Sequence, residues 1–212
     1  MRLDMAELPF ATRYKIMNST ITPRPIGWTV TLDEAGVPNC APHSFFNALG
    51  SDPAMIVLGL IKVAGQDKDT AAHIRARGDF VVALVSEADG ERMNLTAIDS
   101  PRGVNELELA GIESTPASRV SAPLIVSAPV CFECRVADIL DYPGQTVVIA
   151  EVIVSHIRDE FITDAGRMHL DTPAMNLIAR THGAGWYQRG TDQFQMQRPN
   201  YADLGKDAGT PQ

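Results

Sequence analysis

Two stretches carry the side chains best placed to do chemistry. The first runs Pro23-Arg24-Pro25-Ile26-Gly27-Trp28-Thr29-Val30-Thr31-Leu32, followed by Asn39-Cys40-Ala41-Pro42-His43-Ser44-Phe45-Phe46-Asn47. It sets short hydroxyl and amide groups beside aromatic rings, a mixture suited to a planar ligand with a phosphate tail. The second is Lys68-Asp69-Thr70, at the start of a helical pattern. Free backbone N–H groups and the helix dipole favour an anion there, and Lys68 and the Thr70 hydroxyl stand within reach of its oxygens. The same tripeptide also reads as an ordinary solvated cap. Arg24 offers a second cation, its backbone narrowed by a proline on each side. Thr29 and Thr31 fall on one face of a strand by the period of two, either as one wall of a pocket or as plain strand residues. Ser44 to Asn47 reads equally as a strand end whose rings enter the core.

Other candidates are weaker. Cys131-Phe132-Glu133-Cys134 has redox-motif spacing, yet in an extended segment residues three apart project to opposite faces, so the sulfurs do not meet. The five histidines, His43, His73, His156, His169 and His182, lack zinc-type spacing, and no metal is expected. His43 lies inside the first stretch, and His169 and His182 flank Arg180, so His43 and His182 are the candidates for a catalytic role. Neither a G-x-G-x-x-G fingerprint nor a G-x-S-x-G turn is present. Hard chemistry then falls to a bound organic cofactor.

The elements that must position these groups are mostly strands. Ile26 to Leu32 turns at Asp33-Glu34-Ala35-Gly36 and returns through Val37 to Cys40 as a hairpin. Strands follow at Ala54 to Leu60 and Phe80 to Val85, separated by a short helix that Gly78 stops. Glu87 to Ala97 and Asn105 to Gly111 have helical character, and Pro116 to Pro129 is linker and edge structure. Val130 to Leu140 and Thr146 to Ile157 form a long hairpin about Asp141-Tyr142-Pro143-Gly144. Many strands with few short helices predict a closed or split antiparallel barrel. The stretch beyond Asp171 reads as irregular, with a mobile end.

Composition bounds the rest. The 212 residues, 45% apolar and 21% charged, suffice for one globular core. A net charge of −8 argues against a general nucleic-acid binder. No apolar run is long enough to span a membrane, and the acidic start does not resemble a secretory leader. Three cysteines fit a reducing compartment, so a cytoplasmic location is expected.

Taken in order, Pro-Arg-Pro-Ile-x-Trp, Thr-Leu-Asp-x-x-Gly, Asn-x-Ala-Pro-x-Ser-Phe-Phe-Asn, Asp-Pro and Lys-Asp-Thr resemble the flavin reductase-like family of FMN-binding split barrels, which includes flavoredoxin-type proteins. The resemblance continues through Phe80-Val81-Val82, Met93-Asn94, Val104 to Leu107, Phe132 to Cys134 and Ala150 to Val152, covering about residues 20 to 187. It implies a mainly β, Greek-key type barrel of six antiparallel strands with a few peripheral α-helices. An N-terminal extension (1–19) and a C-terminal tail (191–212) would flank a domain over 20–190. It further implies a homodimer holding FMN at the subunit interface. By that likeness Arg24, Pro25, Ile26, Trp28, Thr29 and Thr31 border the flavin, and Ser44, Phe45, Phe46 and Asn47 line its ring and ribityl edge. Lys68, Asp69 and Thr70 form the phosphate end. The chain departs from the family pattern at Thr29-Val30-Thr31, at His43 and at Arg180-Thr181-His182-Gly183. The expected activity is NAD(P)H:flavin oxidoreduction, hydride passing from NADH or NADPH to FMN, with a separate oxygenase as one destination for the electrons. An FMN electron carrier and a flavoenzyme acting on its own organic substrate are the competing readings.

Overall fold

The computed structural model describes residues 1–201. Helix α1 (Phe10–Thr20) leads into the short β1 (Arg24–Pro25), then β2 (Gly27–Leu32), β3 (Pro38–His43), β4 (Phe46–Ser51) and β5 (Ala54–Ile61). Helix α2 (Asp69–Arg77) precedes β6 (Asp79–Leu84), and a 3₁₀ turn runs into α3 (Gly90–Leu95), with α4 (Glu106–Leu109) beyond it. A small pair, β7 (Ser114–Thr115) and β8 (Leu124–Ile125), leads to the long hairpin β9 (Val130–Tyr142) and β10 (Gln145–Ile157). Last come the pair β11 (Ile162–Asp164) and β12 (His169–Leu170), then the hairpin β13 (Ile178–Arg180) and β14 (Tyr187–Arg189).

These elements make a split β-barrel. Its main antiparallel sheet has the order β3-β2-β6-β9-β10-β5-β4, seven strands where the resemblance implies six. Strands β3 and β4 form its two edges, β4 paired to β5. The region after Asp171, read as irregular, instead supplies β13 and β14, which pair with β1 in a second sheet. The expected mobile end concerns residues 202–212, which lie outside the described residues.

Strand β6 shows why the core has two halves. Val81 and Ala83 pack with Trp28, Val30 and Ile125 on one face, while Phe80 and Val82 pack with Leu58, Ile74 and Val148 on the other. Alternating Cβ directions in a centrally placed strand produce this division. It also separates Cys131 and Cys134 between the two halves, both as free buried thiols, as their spacing requires. Helix α2 buries Thr70, Ala71 and Ile74 on the second half-core, carries Asp69 in its first turn and Arg75 and Arg77 in its last. It stops at Gly78, whose φ of +73° and N–H bond to the Ile74 carbonyl suit a left-handed cap.

One buried carboxylate fastens the 116–129 linker. Glu133, with no exposed surface, accepts from the Ser118 N–H and hydroxyl, the Arg119 N–H and the His156 ring at 2.5–2.8 Å. Burial pushes this carboxyl up, but bonds from Ser118, His156 and the two backbone amides outweigh it and bring it down to about 2. A folded pKa below the ordinary 4.5 stabilises the fold fully above that pH, and the contribution is lost as pH falls toward 2. Glu133→Gln should therefore cost about 2–3 kcal/mol at neutral pH and flatten the stability loss between pH 4.5 and 2; urea melts across that range check both.

Candidate functional site

The end of β3, the start of β4, the tip of α2 and the segment after α3 enclose a cleft of about 660 Å³. Its floor is the first turn of α2. Lys68 occupies the N-cap with extended backbone, and no side chain caps the turn, so its N–H groups face the cleft uncompensated. Thr70 is buried beneath them: its Oγ1 accepts from Asn39 Nδ2 at 3.1 Å and lies 3.4 Å from His43 Nε2. Asn39 also reaches Thr31 Oγ1 at 3.4 Å, and Thr31 contacts His73 Nδ1 at 3.1 Å. A polar chain thus ties β2, β3 and α2 together behind the cleft.

Two cations flank this tip, each held by a carboxylate. Lys68 pairs with Asp99, and Arg102 Nε lies 3.2 Å from Asp69. The Lys68–Asp99 pair is largely exposed, so it is worth about 0–1 kcal/mol and yields readily to a competing anion, whereas Arg102 is exposed and its partner Asp69 is partly buried. Below them Glu106, buried, accepts from the Cys40 N–H at 3.0 Å and from the Ser100 hydroxyl.

The aromatic wall depends on two glycines. A Cβ on Gly59 would stand 3.0 Å from Phe45 Cβ, and one on Gly27 would stand 3.0 Å from the Phe46 ring. Without those side chains Phe45 lies along β5 and faces the cleft, while Phe46 turns into the core at 8% exposure.

The structure therefore divides the sequence-derived candidates. His43, Ser44, Phe45, Lys68, Asp69 and Thr70 converge on the cleft. Trp28, Thr29 and Thr31 have no exposed surface and back the wall from inside. Central strands here are covered on both faces, so a shared face led the two threonines into the core. Trp28 donates to Thr96 Oγ1 at 2.9 Å, and Thr29 to the Gly27 carbonyl. Arg24 is a structural clamp: its guanidinium donates to the carbonyls of Asn18, Ile21 and Thr181 at 2.5–2.9 Å and to Ser44 Oγ at 3.4 Å. Pro25 and Ile26 line a separate 300 Å³ pocket beside β13, Phe46 is core, and Asn47 is exposed, its Oδ1 accepting from the Ala48 N–H. His182 sits outside the cleft, exposed and stacked on Trp186 with ring centroids 5.6 Å apart. His169 lies on β12 and also lines no part of the cleft. Among the described residues no cluster of His, Cys, Asp and Glu could hold a metal.

Sequence reasoning passed over Asn39, Asp99, Ser100, Arg102 and Glu106 as site residues. Asn39 had a signal, standing eight residues from Thr31 across an obvious hairpin, and Glu106 opens the short helix α4; Asp99, Ser100 and Arg102 arrive on a loop with no periodic mark.

The comparisons with known proteins agree with this geometry. The model of the flavin reductase like domain matches residues 17–173. An uncharacterized protein of Deinococcus radiodurans is 36% identical over 204 residues, spanning 94% of this chain and 90% of the relative. The solved 2-nitrobenzoate 2-nitroreductase of Pseudomonas fluorescens superposes with a TM-score of 0.86 at 30% identity, covering 95% of this chain and 98% of its own. Component B of a Bacillus cereus nitrilotriacetate monooxygenase gives 0.87 at 25% identity, covering 92% and 98%.

His43 provides a direct test of the cleft's electrostatics. Burial first and the Lys68 charge second lower its pKa to about 4. Its neutral form adds stability in full above pH 6.5, and this is lost as pH falls through 4. Proton NMR should follow the His43 ring titrating near 4; Lys68→Ala should move it upward yet leave it below 6.5, because burial is the larger cause.

Proposed function

The chain belongs to the flavin reductase-like family, and on that premise we propose that it is an NAD(P)H:flavin oxidoreductase holding FMN in the 660 Å³ cleft. The observation that carries this reading is the uncapped α2 tip, with buried Thr70 beneath it and Lys68 and Arg102 on either side. That donor set fits a phosphate: backbone N–H groups and a hydroxyl at a helix N-terminus, plus two exposed cations, of which Lys68 is only weakly paired. Phe45 and Tyr14 offer flat apolar surface at the other end of the cleft for a ring system. FMN held there would supply the redox chemistry, hydride transfer from NADH or NADPH and onward delivery of electrons to an acceptor. The chain's own part is to anchor the phosphate, fix the ring against Phe45 and keep His43 neutral, so that its polar edge hydrogen-bonds without adding charge. No acid or base is needed to move a hydride, which agrees with a cleft lacking an activated nucleophile.

We further place the protein as a homodimer. Phe10, Tyr14 and Met17 of α1 are exposed and, with Val57 and Val147, line an apolar groove of about 520 Å³. That groove shares Tyr14, Phe45 and Gly59 with the cleft, so a second subunit seated there would close the flavin site. Three free thiols support a reducing, cytoplasmic setting, and among the described residues no helix is long and apolar enough to cross a membrane. The monooxygenase component among the relatives supports delivery of reduced flavin to a separate oxygenase. The nitroreductase relative, at 30% identity, favours a second reading in which an organic substrate is reduced on the protein itself.

Purified protein should be yellow and bleach when NADH or NADPH is added without oxygen. Bleaching by dithionite alone would make it an electron carrier, and failure to bind added FMN would end the flavin reading. Lys68→Ala should weaken FMN binding at least about tenfold while leaving riboflavin, which lacks the phosphate, nearly unchanged; equal loss for both ligands would remove the phosphate assignment.

A further inference from the structure

Behind the wall formed by Pro42, His43 and Ser44 lies a second pocket of about 270 Å³, reached by α3 through Met93 and Asn94 and by the β13–β14 hairpin through Arg180 and Tyr187. Arg180 lines it, and Arg24, which does not, is the cross-strand neighbour of Arg180. Arg24 and Arg180 are directly opposed across β1 and β13, an arrangement of like charges that costs stability. Neither guanidinium meets a carboxylate among the described residues. In a chain of net charge −8, this is a local excess of two positive charges.

The two arginines differ in what they have left to give. Arg24 is buried and distributes its donors over three carbonyls and the Ser44 hydroxyl. Burial, then the Arg180 charge, lowers its pKa. Arg180 donates to the Gly183 carbonyl at 3.2 Å and lies over the Tyr187 ring, 4.8 Å from its centroid. That leaves most of its five N–H donors for something else. A cation stacked on an aromatic face is held flat and desolvated on one side, which orients its planar fork for a carboxylate. The rest of the lining is mixed, with Ile26, Met93 and Tyr187 giving apolar surface for a ring and His43, Ser44 and Asn94 giving polar groups. Its volume is below the roughly 300–1,000 Å³ of sites that enclose a drug-sized ligand, so it suits a single ring and not a dinucleotide.

We propose that this pocket binds the carboxylate of a small planar organic acid, with Arg180 as the anion contact. Pro42, His43, Ser44 and Ala97 line both this pocket and the larger cleft, so the acid sits next to the flavin; that adjacency rests on the proposed function, whereas the binding itself does not.

Calorimetric titration of benzoate into the purified, FMN-supplemented protein tests this, with benzyl alcohol as the uncharged probe. Benzoate should bind at least about tenfold more tightly than the alcohol. Arg180→Met should lose at least tenfold in benzoate affinity with FMN binding unchanged, and Arg180→Lys should fall between. Asn94→Phe, which fills the pocket from α3 and keeps the charge, should also weaken benzoate, and it carries the test if Arg180→Met does not fold. No benzoate binding to the unaltered protein at millimolar concentration, or the same affinity in both variants, would overturn the assignment. So would a raised KM for NADPH in Arg180→Met with benzoate binding intact, since Arg180 would then serve a nucleotide phosphate. A protein that binds benzoate but no FMN would instead defeat the flavin reading and leave this one standing.

Discussion

The seating of α2 on the sheet governs the rest of the site. Ala71 and Ile74 are buried in the second half-core, and Thr70 is pinned from below by the Asn39 amide. With its inner face fixed in this way, the helix has one place to put its uncapped first turn, and that place is the cleft. A short helix is only marginally stable alone, so packing rather than propensity holds those N–H groups in position. The dipole that favours an anion there is therefore delivered by hydrophobic burial some distance from the charge itself. The Asn39 bond has a further effect. Because its NH₂ group donates to Thr31 and Thr70, each hydroxyl keeps its own proton to offer elsewhere, Thr31 toward His73 and Thr70 toward His43 or a ligand.

Charge is handled in three different ways within a small volume. At the mouth of the larger cleft, the exposed cations Lys68 and Arg102 are balanced by exposed Asp99 and partly buried Asp69, and the exposed Lys68–Asp99 pair leaves little energy to overcome when a stronger anion arrives. At Glu133 the carboxylate is sealed in and saturated with donors, so it fastens structure and is available to nothing else. Between β1 and β13 two arginines are cross-strand partners, and among the described residues neither is paired with a carboxylate. The first pattern suits exchange, the second permanence, and the third an anion supplied from outside. Local arrangements that lower stability without a structural return are where function is expected.

How far these features could be read from the chain depends on which physical rule each obeys. The β2–β3 and β9–β10 hairpins, the Gly78 stop and the parting of Cys131 from Cys134 follow from local turn chemistry and the period of two, and all stand in the structure. Within the first stretch the same period left two readings open. It places Thr29 and Thr31 on one face correctly, but in a strand between β3 and β6 both faces are covered, so alternation does not distinguish a pocket wall from a core. Arg24 was legible only in part: two prolines fix its backbone, but only the folded chain shows that the carbonyls of Asn18, Ile21 and Thr181 surround its side chain. Helix α1 had a visible mark in Phe10, Tyr14, Met17 and Ile21 at helical spacing, yet that stripe stays exposed in the single chain, without a core to identify it. Arg102 and Ser100 had none, because a loop carries its residues to a site through tertiary contacts alone.

His43 joins the two cavities. The imidazole lines both, with Lys68 on one side and the Arg180 pocket on the other. A protonated ring there would add a third cation between two existing ones, and burial with the Lys68 charge suppresses that form down to a pH of about 4. At neutral pH the wall between the cavities therefore carries no charge of its own. An anion at the α2 tip and another at Arg180, as proposed, would then each have their own cation, separated by a wall of Tyr14, Pro42, neutral His43, Ser44 and Ala97, rather than competing for one shared positive centre. Replacing His43 by lysine would merge the two fields, whereas a neutral residue of similar shape would preserve the separation. Charge at position 43 is therefore more constrained than the identity of its ring.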